Sequence, residues 1–178
     1  YGRSWKRVFS SIEEKPQGSA SIAQVHAAVL RTGEKVVVKV QRKGIYEKMA
    51  RDIALLHKAV KLLPPVSIKG MADLDLVLDE MWSVTRDEMN FLTEASNMEE
   101  FARRNKDVAF VGTPVLYQQY TTVHVLVMEY IDGCGIDDKE ALLARGYDLK
   151  EIGSKLVDNY IKQVMDDGFF HADPHSGN

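Results

Sequence analysis

The sequence of 178 residues is 45% hydrophobic and 28% charged, a composition typical of a globular protein and unlike that of a disordered chain. Its formal net charge of −3 gives no footprint of nucleic-acid binding, and its single cysteine, Cys134, excludes an intramolecular disulfide. No apolar run reaches the roughly 18 residues needed to cross a bilayer. Because there is no initiator methionine and the sequence stops on "FFHADPHSGN", we interpret both ends as cuts in a longer chain.

The first half of the sequence predicts a β-hairpin followed by two helices. The β-rich segments 21–30 and 34–41 are joined by the turn signal "RTG". Apolar spacing predicts an amphipathic helix over 46–63, which the prolines at 64–65 end. A second, longer helix is predicted to begin near Asp73. Its apolar stripe consists of Leu74, Val77, Met81, Val84, Phe91, Ala95 and Met98.

The second half predicts another hairpin and a last helix. The segments "TPVLYQQY" and "HVLVMEYI" are expected to pair around Thr121 and Thr122. The last helix is predicted to start at Asp148, with Glu151 completing a capping box, and to end at Gly168. This order of strands and helices predicts an α+β fold.

The stretch "GSASIAQV", residues 18–25, has the frame G-x-A-x-x-A-x-V. It matches a nucleotide-binding loop, G-x-G-x-x-G-x-V, with Ala20 and Ala23 in place of glycines. Small residues in such a loop let backbone N–H groups close over phosphates. Taken alone, the stretch is more often an ordinary turn before a strand.

Lys39 lies in the valine run "VVVKV", which looks buried on both faces. A buried ammonium group needs a charged partner. The alternative is an edge strand with Lys39 directed to solvent. A lysine on the strand after a small-residue loop is what phosphate binding requires. Candidate partners are Glu88 and Glu94, because both lie on or beside the apolar stripe of the second helix.

Two further stretches carry possible site residues. "VLVMEYIDG" predicts a buried strand that turns outward at Glu129, where free backbone groups could hold a flat heterocycle such as adenine; the alternative is an ordinary strand end. In "HADPHSGN", Asp173 and Asn178 have the H-x-D-x-x-x-x-N spacing of a kinase catalytic loop. The aspartate would orient an attacking hydroxyl and the asparagine would hold magnesium. The alternative is a metal site made of His171, Asp173 and His175.

Together these stretches resemble the UbiB family of atypical kinases, also called the aarF-domain kinases. The strings that carry the resemblance are "GSASIAQVH", "VVVKVQRKGI", "FLTEASN", "LVMEYIDG" and, above all, "GFFHADPHSGN". The resemblance implies a protein-kinase-like fold. Residues 1–131 would form the N-lobe and hinge with inserted helices, and 132–178 would begin a C-lobe that is cut at the catalytic loop.

The resemblance also implies roles for individual residues. Lys39 would contact the nucleotide phosphates and pair with Glu94. The implied nucleotide-binding residues are Gly18, Ser19, Ala20, Ser21, Val25, Lys39, Met128, Glu129 and Ile131. The implied catalytic residues are Asp173, Lys39 and Glu94, and the implied magnesium ligand is Asn178.

The sequence departs from the family pattern in several places. Glu88 matches the first acidic position of the family's E-x-D motif, but Asn90 stands at the second, which puts the role of that position in doubt. Lys43 and Ser176 replace prolines that are usual in the family. The K-x-G-Q segment and the D-F-G aspartate are not in this sequence.

The implied function is that of an ATP- and Mg2+-dependent kinase or ATPase. Family members support ubiquinone or other isoprenoid-lipid biosynthesis, so the expected partners are isoprenoid or quinone intermediates and lipid-biosynthesis proteins, with no nucleic acid. We expect a cytoplasmic protein that associates with membranes through segments outside this sequence, or an organellar one in a eukaryote. The chain by itself is expected to be inactive. The alternative is a pseudokinase scaffold that binds ATP without turnover, suggested by the alanine-rich loop and Asn90.

Overall fold

The computed structural model describes residues 4–62, 74–172 and 174. The chain divides into two compact units. The first comprises Tyr1–Met98 and Pro114–Tyr130, and the second comprises Glu99–Thr113 and Ile131–Asn178. The predicted division into kinase lobes at residue 131 stays a prediction. Within the described ranges, no helix combines the length and the apolar character that a bilayer crossing requires.

The first unit is built on one antiparallel sheet, which confirms the mixed α+β class. Its described strands are β1 (Phe9–Ile12), β2 (Gly18–Ser19), β3 (Ala23–Leu30), β4 (Lys35–Gln41) and β5 (Val125–Glu129). Their order is β1-β3-β4-β5, with β2 also paired to β3. The predicted first hairpin is confirmed as β3–β4, whose turn uses Gly33 at a φ of +104°. Since β4 is paired on both sides, the edge-strand alternative for Lys39 is wrong.

The two faces of this sheet have different environments. Because side chains alternate along a strand, Val36 and Val38 of β4 point to one face and Val37 and Lys39 to the other. The first face carries a buried cluster made by Val8, Phe9, Ala28, Leu30, Val36, Val38 and Val127. On the second face, Val37 and Lys39 are only partly buried. The prediction that the valine run is buried on both faces is therefore wrong for the half that carries Lys39.

The predicted long helix is two helices, α2 (Leu74–Glu88) and α3 (Phe91–Asn105), which follow α1 (Ile45–Lys61). The helix is interrupted at Asn90. Its side-chain oxygen accepts a hydrogen bond from Leu92 N–H at 3.1 Å and so caps α3. The N–H of Phe91 donates to the carbonyl of Val123, just before β5, at 3.1 Å. The hydrogen bonds to the Asn90 side chain and to Val123 thus replace the intrahelical hydrogen bonds that a continuous helix would have made here.

Only the second half of the predicted apolar stripe lies in the core. Phe91 and Ala95 of α3 are buried, with Ala23 and Leu126, on the second face of the sheet. In α2, three of the four predicted core positions are exposed, Val77, Met81 and Val84, and Leu74 is intermediate. Leu78 is buried instead, because α2 packs on α1 rather than on the sheet. The Tyr46 and Trp82 rings lie 5.4 Å apart in this contact.

The predicted second hairpin forms only in part. β5 is present, but the segment before it makes isolated bridges, Leu116 with Met128 and Thr122 with Val125, on either side of a 3-10 turn at Gln118–Tyr120. It still runs beside β5, since Tyr117 N–H donates to Val127 at 2.9 Å and Glu129 N–H donates to Val115 at 2.8 Å. The tight turn, rather than a lack of pairing, prevents a regular strand.

The second unit contains α4 (Lys139–Ala144), which the sequence analysis missed, and α5 (Leu149–Lys162). The start of α5 is confirmed, because the Asp148 carboxylate accepts from the N–H groups of Lys150 and Glu151. The Glu151 side chain pairs with Lys155. A wide turn at Gln163–Asp167 follows α5 and ends at Gly168, as predicted, with a φ of +60°.

Candidate functional site

Lys39 of β4 and Glu94 of α3 form an ion pair on the second face of the sheet. The ammonium Nζ donates to both carboxylate oxygens of Glu94, at 2.7 and 2.9 Å. It also lies 5.0 Å from the ring centroid of Phe91. The side chains are 25% and 37% exposed, so the charges are partly screened but held in place. Glu88, the other candidate partner, is exposed at the end of α2.

The start of α3 is attached to the sheet in a way that places Glu94 opposite Lys39. Gln41, at the end of β4, donates from Nε2 to the carbonyl of Met89 at 3.1 Å. The cap made by Asn90 begins the helix at the next residue. An aspartate at position 90 would offer the same acceptor oxygen. Asparagine and aspartate could therefore both cap α3 at this position.

A partly buried apolar surface surrounds Lys39 on its face of the sheet. Strand register places Val25 beside Lys39, and Ala27 and Met128 on either side of Val37. All four of these apolar side chains are intermediate in exposure. Lys39 and its ion pair with Glu94 therefore lie beside a half-buried apolar surface.

The alanine-rich loop, residues 18–22, consists of β2 and the turn that connects it to β3. It lies at one end of the row of strand pairs that contains Lys39. Gly18 pairs with Val25, which pairs in turn with Lys39. The N–H of Ala20 donates to the carbonyl of Ala23 at 2.9 Å and closes the turn. Within the described ranges, no residue other than glycine has a positive φ, so Ala20 and Ala23 need no glycine-like conformation. Ala23 is 2% exposed and belongs to the core beside Phe91.

Arg42, immediately after β4, contacts this loop, although no motif in the sequence marks it as a site residue. Its Nε donates to the carbonyl of Ala20 at 3.0 Å, and its guanidinium donates to the Ser19 hydroxyl at 2.6 Å. Its backbone N–H donates to the carbonyl of Ile22 at 2.8 Å. The available signal was the polar pair Gln41-Arg42 directly after the valine run that carries Lys39.

The predicted adenine hinge begins at the end of β5. Met128 packs at the edge of the Phe91 cluster, and the Glu129 carboxylate accepts from Val115 N–H at 3.0 Å. Tyr130 N–H donates to the carbonyl of Lys35 at 3.1 Å. Ile131 is 57% exposed and belongs to the second unit. The assignment of these residues to adenine binding stays a prediction.

The predicted catalytic and magnesium residues, Asp173 and Asn178, lie outside the described residues. So do two members of the alternative metal site, Asp173 and His175. The third, His171, accepts at its carbonyl from the Tyr160 hydroxyl at 3.0 Å. Elsewhere in the described part of the chain, no group of three or more histidine, cysteine, aspartate or glutamate side chains could hold a metal ion. The roles of Asp173 and Asn178 stay predictions.

A model of the ABC1 atypical kinase-like domain matches residues 1–178. The chain belongs to the ABC1 atypical kinase-like family. It is 43% identical, over 96% of its length, to a Clostridium pasteurianum protein from the 5′ region of hydrogenase 1, and covers 32% of that protein. It is 37% identical, over 99% of its length, to "Probable protein kinase UbiB" of Cellvibrio japonicus, and again covers 32%. The chain thus spans about a third of the length of these curated relatives.

A solved structure has a similar fold. The complex of Rv3197 with erythromycin, from Mycobacterium tuberculosis, matches 99% of this chain with a TM-score of 0.77 and 29% sequence identity. The chain covers 44% of that protein. The expected kinase-like α+β fold and the resemblance to the UbiB and aarF-domain kinases are both confirmed.

In the second unit of this ABC1 domain, a chain of buried amide side chains precedes the predicted catalytic loop. Asn159 of α5 donates to the side-chain oxygen of Asn105 at 2.8 Å, and Gln163 donates to the oxygen of Asn159 at 2.6 Å. All three residues are at most 7% exposed. Nearby on α3, hydrogen bonds from Arg103 and Arg104 lower the pKa of Glu100 to about 2. These contacts connect α3 with α5 and the turn that follows it.

Ala20→Gly tests whether the alanine loop of this family limits nucleotide binding by its stiffness. Glycine gives the loop conformations that alanine cannot reach, so we expect ATP and ADP affinities to change by about twofold to fivefold, equivalent to roughly 0.5–1 kcal/mol. The melting temperature without nucleotide should barely move, because Ala20 is exposed. Calorimetric titration of the full-length protein with both nucleotides measures the effect. Identical affinities in wild type and mutant would show that Ala20 is only a spacer.

Proposed function

We propose that this chain is the nucleotide-binding part of an ATP- and Mg2+-dependent phosphotransferase or ATPase of the UbiB type. The observation that carries the proposal is the Lys39–Glu94 ion pair on a half-buried apolar face of the sheet. In kinases, a strand lysine held by a helix glutamate positions the phosphates of ATP. The family to which the chain belongs is described as atypical kinase-like, which supports the same chemistry.

In this proposal each part of the site has a separate task. The apolar face around Val37 holds the adenine ring, and Lys39 neutralises the phosphates from a position that Glu94 maintains. Asp173 orients the attacking hydroxyl or water, and Asn178 supplies an oxygen ligand to magnesium. Magnesium would neutralise the charge that develops on the transferred phosphoryl group.

The wider role that we propose is support of ubiquinone or related isoprenoid-lipid biosynthesis. It rests on the resemblance to the UbiB family. Isoprenoid or quinone intermediates and lipid-biosynthesis proteins are then the expected partners of the full-length protein. Membrane association through other segments, in a cytoplasmic or organellar setting, belongs to the same proposal.

Val37→Phe tests the proposed adenine surface. A larger ring on the half-buried face should compete with adenine, so we expect Mg-ATP affinity to fall about fivefold to a hundredfold, which corresponds to a steric cost of about 1–3 kcal/mol. Thermal-shift titration of the full-length protein with Mg-ATP measures the change. Val40→Phe is the matched control, because Val40 lies on the same strand but on the opposite face and is exposed.

Two results would contradict this proposal. Equal ATP affinities for Val37→Phe and Val40→Phe would place the nucleotide elsewhere. A wild-type protein that gains no stability from saturating Mg-ATP would remove ATP binding altogether, because a ligand that binds the native state must raise its stability.

The alternative function is a nucleotide-sensing scaffold that binds ATP without turnover. The observation in its favour is the alanine loop, in which Ala20 is held by Arg42 rather than left free to move over the phosphates. Both functions require ATP binding, so affinity does not separate them. Phosphate release that is lost in Asp173→Asn would support the enzyme, and ATP binding without any release would support the scaffold.

A further inference from the structure

Arg42 joins the end of β4 to the alanine-rich loop by three hydrogen bonds. Two come from its guanidinium, to the carbonyl of Ala20 and to the hydroxyl of Ser19, and one comes from its backbone to the carbonyl of Ile22. The planar guanidinium presents its donors in a fixed arrangement, so two acceptors on adjacent residues are held in one geometry.

The position of Arg42 follows from the register of the sheet. Ala23, the first residue of β3, pairs with Gln41, the last residue of β4. The residue that follows β4, Arg42, therefore lies opposite Ile22 in the loop, and their backbone bond continues the ladder by one step. Arg42 is also three residues after Lys39, so β4 and the residue that follows it carry both the lysine proposed to bind phosphate and the arginine that holds the loop.

These contacts change the electrostatics of the loop as well as its shape. A carbonyl and a hydroxyl oxygen carry partial negative charge and would repel a phosphate if they turned towards it. Bonding to a guanidinium occupies both oxygens and adds a positive charge beside the loop. Since Ala20 also bonds through its N–H to Ala23, the turn is restrained from both sides.

We propose that Arg42 is a positioning residue that holds loop 18–22 in the conformation that accepts the phosphates of a nucleotide; this rests on the proposed function. In a glycine-rich loop, binding itself selects the conformation from many. Here the alanine loop is set in advance by Arg42, and phosphate binding avoids the entropy of ordering it. Replacing Arg42 should then weaken the binding of ligands that carry phosphates and leave the affinity for adenosine unchanged.

The first test measures the loop itself and needs no nucleotide. In Arg42→Ala of the full-length protein, amide hydrogen exchange in loop 18–22 should become about tenfold faster, since bonds to a charged group are lost. Lys43→Ala is the matched control, because it removes the same charge from the adjacent exposed residue. Equal loop exchange in the two variants would overturn the proposed contact.

The second test measures phosphate recognition by titration with ATP and with adenosine. Arg42→Ala should weaken ATP binding about tenfold and leave the affinity for adenosine unchanged. Lys43→Ala should change neither affinity. Arg42→Lys should resemble Arg42→Ala, because lysine keeps the charge but not the paired donors. Wild-type ATP affinity in Arg42→Lys, or an equal loss of adenosine binding in Arg42→Ala, would overturn the positioning role.

The two tests separate this proposal from the proposed function. If exchange rises in Arg42→Ala but the wild type binds neither ATP nor adenosine, the nucleotide function is wrong and the phosphate role of Arg42 is wrong with it. If the wild type binds ATP and exchange does not change, the nucleotide function stands and the role of Arg42 is wrong.

Discussion

Replacing Lys39 with alanine in the full-length protein should weaken Mg-ATP binding by about 1.5–3 kcal/mol, which is roughly tenfold to a hundredfold in affinity. The mutation removes the cation that would meet the phosphates. It also leaves the Glu94 carboxylate, which is 37% exposed, without its partner and close to the incoming negative charge. Thermal-shift or calorimetric titration with Mg-ATP measures the loss.

The best control for Lys39 is Lys35→Ala. Lys35 lies four residues earlier on β4 and on the same face, but it is exposed at the start of the strand. A general effect of charge would weaken ATP binding in both variants, whereas the proposed contact affects only Lys39. Unchanged ATP-induced stabilisation in Lys39→Ala would eliminate Lys39 as a phosphate ligand.

A double-mutant cycle with Glu94→Gln separates positioning from direct contact. If Glu94 acts only by holding Lys39, its replacement should have little further effect once Lys39 is alanine. Additive losses of ATP affinity would instead mean that the two side chains act independently, and the pair would not be the unit that recognises the nucleotide.

Replacing Asn159 with alanine should lower the free energy of unfolding by about 2–4 kcal/mol, the largest stability effect expected in the second unit. Asn159 is the central member of the buried amide chain, so its loss leaves Asn105 without a donor and Gln163 without an acceptor. Both partners are at most 7% exposed, so water cannot freely replace the missing bonds.

Urea unfolding of the full-length protein, followed by circular dichroism, measures this effect. Asp158→Ala is the control, because Asp158 precedes Asn159 on α5 and is exposed. We expect the control to change stability by less than about 0.5 kcal/mol. Similar midpoints for the two variants would show that the amide chain is not a source of stability.

The elements that were predicted correctly depend on short-range signals. The β3–β4 hairpin follows from two β-rich segments around a turn with Gly33, and the start of α5 follows from the cap at Asp148. Gly168 likewise ends the turn after α5 in the left-handed conformation that glycine adopts readily. In each case the residues that determine the structure are within a few positions of one another.

The errors share a different cause. The continuous helical pattern through Asn90 was broken by a side-chain cap and by a hydrogen bond from Phe91 to Val123. The apolar residues of α2 were assigned to the core, but α2 contacts α1 and leaves several of them exposed. Periodicity records which residues share a helix face, and it does not record which neighbour that face meets.

The sequence by itself determined the family, the order of the main elements and the identity of Lys39 as the central charged residue, because motifs and local patterns carry that information. The family resemblance implied Glu94 as the partner of Lys39, and the tertiary structure brings the two together across 55 residues. Only the tertiary structure decided that Arg42 holds a loop 22 residues earlier. The physical reason is strand register. The pairing of β3, β4 and β5 places distant residues side by side, and no local pattern in the sequence specifies that alignment.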